Sequence, residues 1–116
     1  MIGRIRERDA FLRLRRDGVR VRIDPLWCSF VPDSEVVPPQ VAFAIGRATG
    51  SAVQRNLLRR RLRAILRDCK VPAGLLLIGA NAHATERTFA ELEHCLTNLM
   101  VKVAERSTRA GSTTAP

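Results

Sequence analysis

Residues 41–80 have the sequence VAFAIGRATGSAVQRNLLRRRLRAILRDCKVPAGLLLIGA, in which two strand patterns flank an arginine-rich helix pattern. Residues 41–45 alternate large apolar side chains with alanines, which predicts a strand with one apolar face. Residues 52–68 have helical periodicity and stop before Pro72. Residues 75–80 are apolar without alternation, as in a strand that is covered on both faces. The stretch therefore predicts a helical crossover that joins two parallel strands.

The flanking sequence adds further elements on both sides of this crossover. Residues 8–17 predict a short helix, which Gly18 ends as a left-handed cap. Residues 19–23 and 26–31 predict two strands, and residues 88–104 predict a long closing helix. Capping boxes mark the starts of the two longer helices, at Ser51 with Gln54 and at Thr88 with Glu91.

The predicted element order is αβββαβα, an α+β two-layer sandwich in which one sheet is packed by helices. We expect a single domain over residues 1–104. Residues 105–116 are rich in Ser, Thr, Ala and Gly and predict a flexible tail. No segment predicts a signal peptide or a membrane span, so we expect a cytoplasmic protein without a membrane partner.

Three cysteines, Cys28, Cys69 and Cys95, are too widely spaced for a zinc motif and suit small buried apolar residues. We therefore expect no metal and no cofactor on the protein alone. The scattered aspartates have no motif spacing, so we also expect no catalytic residue on the chain.

The strongest functional signal is positive charge. The chain has 20 basic and 11 acidic residues, a net charge of +9, and all but two of the basic residues are Arg. From Arg47 to Arg67, counting both, there are seven arginines and no acidic residue. Arg55, Arg59, Arg63 and Arg67 follow each other at i+4, where like charges destabilise a helix. Phosphates would neutralise this repulsion, so the pattern predicts a helix face that binds a polyanion.

Residues 41–63 resemble the signature of the bacterial ribonuclease P protein component, in which a strand leads through a Gly-Asn/Ser-Ala-Val segment into a basic helix. The positions that match this signature are Gly50, Ser51, Ala52, Val53, Arg55, Asn56, Arg59, Arg60 and Arg63. The resemblance extends over about residues 8–104. Leu57 stands where the family has a third basic residue, and Ala48 stands where the family is often basic.

The resemblance implies a left-handed βαβ crossover, contrary to the usual right-handed rule. It implies two partners, the ribonuclease P catalytic RNA and precursor tRNA, and a protein that assists tRNA 5′ maturation. The RNA would perform the Mg²⁺-dependent hydrolysis. The expected contacts to the catalytic RNA are Arg47, Gly50, Ser51, Arg55, Asn56, Arg59, Arg60 and Arg63. The expected cleft for the single-stranded 5′ leader comprises Phe11, Arg15, Trp27 and Ser29.

Two other binding functions fit the same basic helix. One is a ribosomal-type structural RNA-binding protein with no role in cleavage. The other is a DNA-binding regulator, but a strand pattern precedes residues 52–68 where a helix-turn-helix protein has a helix. We therefore expect RNA and not DNA as the partner.

Overall fold

The computed structural model describes the backbone of residues 2–114 and the side chains of residues 2–107. Three helices and five strands form the fold. In chain order they are β1 (Gly3–Arg4), α1 (Arg8–Asp17), β2 (Val19–Ile23), β3 (Leu26–Pro32), β4 (Gln40–Ala44), α2 (Ala52–Arg67), β5 (Gly74–Ala80) and α3 (Phe89–Thr114). Short 3-10 helices precede α2 at Arg47–Thr49 and α3 at Ala82–Glu86. The predicted helices and strands are therefore confirmed, and β1 is an addition.

The five strands form one mixed sheet with the order β1-β4-β5-β3-β2. β4 and β5 are parallel neighbours joined through α2, as the sequence predicts. β5 also pairs with β3 in the antiparallel sense, so it is the central strand. The left hand that the family resemblance implies for the crossover stays a prediction.

The helices lie on both faces of the sheet, so the two-layer prediction was wrong. Along β5, Leu76 and Ile78 face the main core under α2 and α3, whereas Leu75 lies in a second core with Leu14 of α1. β5 is therefore covered on both faces, as its unbroken apolar run predicts. The sequence shows that α1 has an apolar side, but the face of the sheet it covers depends on long-range packing.

Gly18 ends α1, but not as the predicted left-handed cap. Its φ of −65° and ψ of 132° are extended, and its N–H donates to the carbonyl of Leu14. A Cβ at this position would clash with the Leu14 carbonyl and with the Ser29 hydroxyl. Glycine is needed here because α1 and β3 approach closely, and not because of a positive φ.

α3 continues beyond residue 104, where the composition predicted the tail to begin. Its backbone is helical as far as Thr114, and the last two residues of the predicted tail, 115–116, lie outside the described residues. Within residues 2–114, no helix combines the length and apolar character that crossing a bilayer would require.

Candidate nucleic-acid interface

The connector before α2 fixes where the arginine-rich helix starts. The buried Thr49 donates its hydroxyl to the carbonyl of Ala80 at 3.2 Å, which ties the connector to the end of β5. The predicted capping box at Ser51 is present: Gln54 N–H donates to Ser51 Oγ, and Ser51 N–H donates to Gln54 Oε1. The Ser51 side chain is therefore used within the helix. The amides of Ala52 and Val53, in the first turn of α2, have no acceptor within the helix and remain available to an anion.

One side of α2 is anchored in the main core. Leu58, Leu62, Ile65 and Leu66 are all buried, and Leu62 is fully enclosed. The half-buried Cys69 follows them at the end of the helix. This apolar stripe follows the helical periodicity predicted for residues 52–68, and it fixes the rotation of α2 and thereby the direction of its arginines.

Three of the i+4 arginines of α2 lie beside alternate residues of β4 and beside Ile45, the residue that directly follows it. Arg59 Nη2 donates to the carbonyl of Ile45 at 2.9 Å. One turn later, the Arg63 guanidinium lies 5.5 Å from the centroid of the Phe43 ring. Arg67 then lines the same cavity as Val41. Four residues of a helix advance by about 6 Å, and two residues of a strand advance by about 6.6 Å. Every fourth residue of α2 therefore stays beside every second residue of the neighbouring strand segment.

None of the arginines of α2 has a carboxylate partner among the described side chains. The ion pairs in residues 2–107 join Arg13 to Asp33, Arg16 to Asp17, Arg22 to Asp24 and His83 to Glu86. Arg59 also donates to Asn56 Oδ1 at 3.1 Å, a neutral partner. The Nε of Arg55 is buried without a hydrogen-bond partner. The positive charge of this helix is therefore left uncompensated.

The structure brings most of the expected contacts to the catalytic RNA together on this helix and its connector. We call Arg55, Asn56, Arg59, Arg60 and Arg63 of α2 the basic face. Arg60 and Asn56 are exposed, whereas Arg59 and Arg63 are half-buried against β4. Arg47 is exposed in the connector before Gly50 and Ser51. Leu57, 42% exposed, lies outside the apolar stripe and adds an exposed apolar side chain to the helix surface.

A second concave surface lies between α1 and the sheet, on the opposite side from α2. Its cavity measures about 680 Å³, and we call it the α1 groove. The residues lining it are Arg8, Phe11, Leu12, Leu14, Arg15, Gly18, Arg20, Ser29 and Leu77. Three of the four residues expected in the leader cleft, Phe11, Arg15 and Ser29, are thus brought together. Phe11 is 42% exposed, but Ser29 is buried and its hydroxyl donates to the Leu14 carbonyl at 3.4 Å.

Trp27 lies on the same sheet face but does not line the α1 groove. Its ring packs over Gly79 of the neighbouring strand, where a Cβ would clash with the indole. The Arg20 guanidinium lies 4.5 Å from the ring centroid. The indole is therefore engaged within the protein by a cation–π contact. Arg20 also lines the groove, so it connects Trp27 with the other groove residues.

A family model described as Ribonuclease P matches residues 3–104. The chain belongs to the ribonuclease P protein family. The ribonuclease P protein component of Thermus scotoductus is 41% identical over 83 residues, which are 72% of this chain and 49% of the relative. That of Beutenbergia cavernae is 34% identical over 94 residues, which are 78% of this chain and 79% of the relative. The chain thus spans about half the length of the Thermus relative.

Solved ribonuclease P proteins share the fold. The Staphylococcus aureus protein superposes with a TM-score of 0.75 at 20% identity, covering 87% of this chain and 94% of that chain. The Thermotoga maritima protein gives a TM-score of 0.74 at 24% identity, covering 84% of this chain and 94% of that chain. At these identities the likeness shows a common fold.

Sequence reasoning missed two arginines that the fold adds to these surfaces. In the sequence, Arg20 is one of the polar residues of an alternating strand pattern, which gives no sign of a binding role. In the structure it lies beside Trp27 and lines the α1 groove. Arg4 lies in β1, whose two residues give no periodic signal. The signal that could have found Arg20 is its outward position on a strand that directly follows the arginine-containing α1.

Proposed function

We propose that this chain is the protein subunit of ribonuclease P and assists the endonucleolytic 5′ maturation of tRNA. In this proposal it binds the catalytic RNA and the 5′ leader of precursor tRNA in the cytoplasm, and the RNA subunit carries out the hydrolysis. The observation that supports it most is the basic face of α2, whose positive charge has no carboxylate partner and whose arginines are held against the neighbouring strand segment. Membership of the ribonuclease P protein family supports the choice of RNA partner.

The basic face would bind the catalytic RNA through its phosphates. Arg60 is exposed to solvent, and the guanidinium of Arg63 lies over the Phe43 ring of β4. A planar guanidinium can donate two parallel hydrogen bonds to phosphate oxygens. Each phosphate that an arginine neutralises releases condensed counterions, which contributes affinity. Arg47 and the free amides at the start of α2 would extend the contact. Arg59 would contribute charge while its guanidinium stays hydrogen-bonded to the Ile45 carbonyl.

The α1 groove would bind the single-stranded leader. It combines an exposed aromatic ring, Phe11, with the exposed guanidinium groups of Arg15 and Arg20. Stacking on a ring and neutralisation of the backbone are the two contributions on which single-strand binding depends. Since Ser29 is buried and the Trp27 ring is covered, we expect Phe11 and the two arginines to make most of the contact.

The Mg²⁺ requirement that we propose belongs to the RNA-containing holoenzyme. Among the described residues, no group of three or more His, Cys, Asp or Glu side chains is arranged to hold a metal ion. The role that we propose for the chain is binding and positioning.

The test of the basic face is the salt dependence of binding to a bacterial ribonuclease P RNA. The double variant Arg59→Ala with Arg63→Ala should bind more weakly and flatten the log–log salt slope by up to about two units. An unchanged slope would remove the basic face from the interface. For the α1 groove, Phe11→Ala should weaken binding of precursor tRNA to the holoenzyme but leave mature tRNA unaffected.

A structural RNA-binding protein is the alternative that uses the same basic face. It would bind RNA with the same salt dependence but would show no preference for precursor tRNA over mature tRNA. A leader preference that depends on Phe11 distinguishes the two functions.

A further inference from the structure

A separate cavity lies where the end of α2 meets the edge of the sheet. It measures about 370 Å³, and we call it the edge pocket. The residues lining it are Ile2, Gly3, Arg4, Val41, Phe43, Arg63 and Arg67. Three of these seven are arginines from two distant parts of the chain, and the others form an apolar wall. Neither Arg4 nor Arg67 belongs to the basic face.

β1 holds Arg4 in this pocket through hydrogen bonds to the chain around β4. Gly3 N–H donates to the Pro39 carbonyl at 2.8 Å, and Ile5 N–H donates to the Val41 carbonyl at 3.1 Å. Ile5 is 5% exposed and lies in the second core, on the α1 side of the sheet. Because neighbouring strand residues point to opposite faces, Arg4 is directed to the side on which α2 lies.

The charge of the edge pocket has no internal neutralisation. Arg4, Arg63 and Arg67 form no ion pair with a carboxylate among residues 2–107. Arg4 also borders a neighbouring cavity that Glu7 and Asp9 line, but it is not paired with either of them. The like charges of three arginines that line one small cavity repel each other, and an anion bound in the cavity would relieve that repulsion.

We propose that the edge pocket holds one nucleotide of the RNA partner, with its phosphate between Arg4 and Arg67 and its base or ribose against Ile2 and Phe43. Arg4 then extends the basic face of α2 onto the sheet edge. This inference rests on the proposed function, since it takes the RNA bound by α2 as the source of the nucleotide. The apolar wall beside the arginines favours a nucleotide over a bare phosphate, which would use the arginines alone.

The experiment measures binding of the full-length chain to a bacterial ribonuclease P RNA between about 0.05 and 0.2 M monovalent salt. Arg4→Ala removes the proposed phosphate contact, and Arg4→Lys keeps its charge. Lys102→Ala is the matched control, because it removes one positive charge from an exposed site on α3, which packs over β2 and β3 at the other end of the sheet. Phe43→Leu removes the ring but keeps an apolar side chain, and thermal unfolding verifies that it folds.

Arg4→Ala should lower the salt slope by about 0.7–0.9. The ratio of wild-type affinity to Arg4→Ala affinity should therefore be about threefold smaller at about 0.2 M salt than at about 0.05 M salt. Arg4→Lys and Lys102→Ala should keep the wild-type slope. Phe43→Leu should weaken binding about fivefold with no change of slope, because a base–aromatic contact is not ionic. A chemical footprint of the RNA should lose the same short protected segment with Arg4→Ala and with Phe43→Leu.

Arg4→Ala behaving like Lys102→Ala would overturn the edge pocket, while a slope change for the Arg59/Arg63 double variant would leave the proposed function standing. A slope change for Arg4→Ala with wild-type binding by Phe43→Leu would mean that only a phosphate is held, which overturns the nucleotide assignment. If the wild-type chain does not bind the RNA at all, the proposed function fails and this inference fails with it.

Discussion

Arg59 has a structural role that its neighbour Arg60 does not share, and the two can be separated by measurement. The guanidinium of Arg59 donates to the Ile45 carbonyl at 2.9 Å and to Asn56 Oδ1 at 3.1 Å. Arg60 is exposed, and its side chain forms no hydrogen bond with a described residue. Arg59→Ala and Arg60→Ala remove the same charge from adjacent positions, so the pair is internally matched.

The expected difference follows from those two hydrogen bonds. A hydrogen bond from a charged donor contributes about 1.5–3 kcal/mol when buried, and the half-buried position of Arg59 lowers this to about 1–2 kcal/mol. In a domain of this size that corresponds to a fall of roughly 4–8 °C in Tm. An exposed substitution such as Arg60→Ala should stay within about 0.5 kcal/mol of wild type.

Thermal unfolding by circular dichroism, repeated as urea unfolding, measures this difference without any RNA. We expect Arg59→Ala to have a lower Tm and a lower urea midpoint than Arg60→Ala, with equal m-values. Identical unfolding of the two variants would refute the reasoning that the Ile45 carbonyl holds the Arg59 side chain. In RNA binding the two should show similar losses of salt slope, because each removes one positive charge.

Two further predictions concern the packing of β3 and β5 and the state of the cysteines. Gly79→Ala should lower Tm and raise the exposure of Trp27, seen as a red shift of its fluorescence, because the added Cβ displaces the indole; an unshifted spectrum at wild-type Tm would contradict the close packing. At about pH 8, iodoacetamide should modify Cys69 well before the other two thiols, as read by peptide mass spectrometry. Burial raises the pKa of Cys28 to about 12 and raises that of Cys95, so both thiols are shifted away from the reactive thiolate. Equal labelling of Cys28 and Cys69 would show that the core around Cys28 is open.

The sequence predicted the elements whose signals are local. The capping boxes at Ser51 and Thr88 mark two helix starts, and both are present as paired hydrogen bonds. The unbroken apolar run of β5 predicted a strand covered on both faces. These signals are carried by neighbouring residues, so they survive without knowledge of the tertiary fold.

The features that sequence reasoning missed depend on contacts between distant residues. β1 is two residues long and forms only because its backbone pairs with β4. Gly18 looks like a helix cap, but its lack of a side chain serves the approach of Ser29. For the same reason the i+4 spacing of the arginines indicated a charged face, but not that Arg59 turns inward to the carbonyl of Ile45, just after β4.

Trp27 shows which part of the candidate site could be predicted from the sequence and which part could not. Its place on the same strand face as Ser29 was predictable from the alternation of β3. Its contact with Arg20 was not, because that contact depends on the pairing of β2 with β3.

The most direct test of the proposed function is reconstitution with a bacterial ribonuclease P RNA at low Mg²⁺. The purified chain is added to the RNA, and cleavage of a precursor tRNA at the 5′ end of the mature sequence is followed over time. We predict cleavage that requires both components and that falls when the basic face carries Arg59→Ala and Arg63→Ala. Tight RNA binding without any rescue of cleavage would contradict the assignment and leave a structural RNA-binding protein in its place.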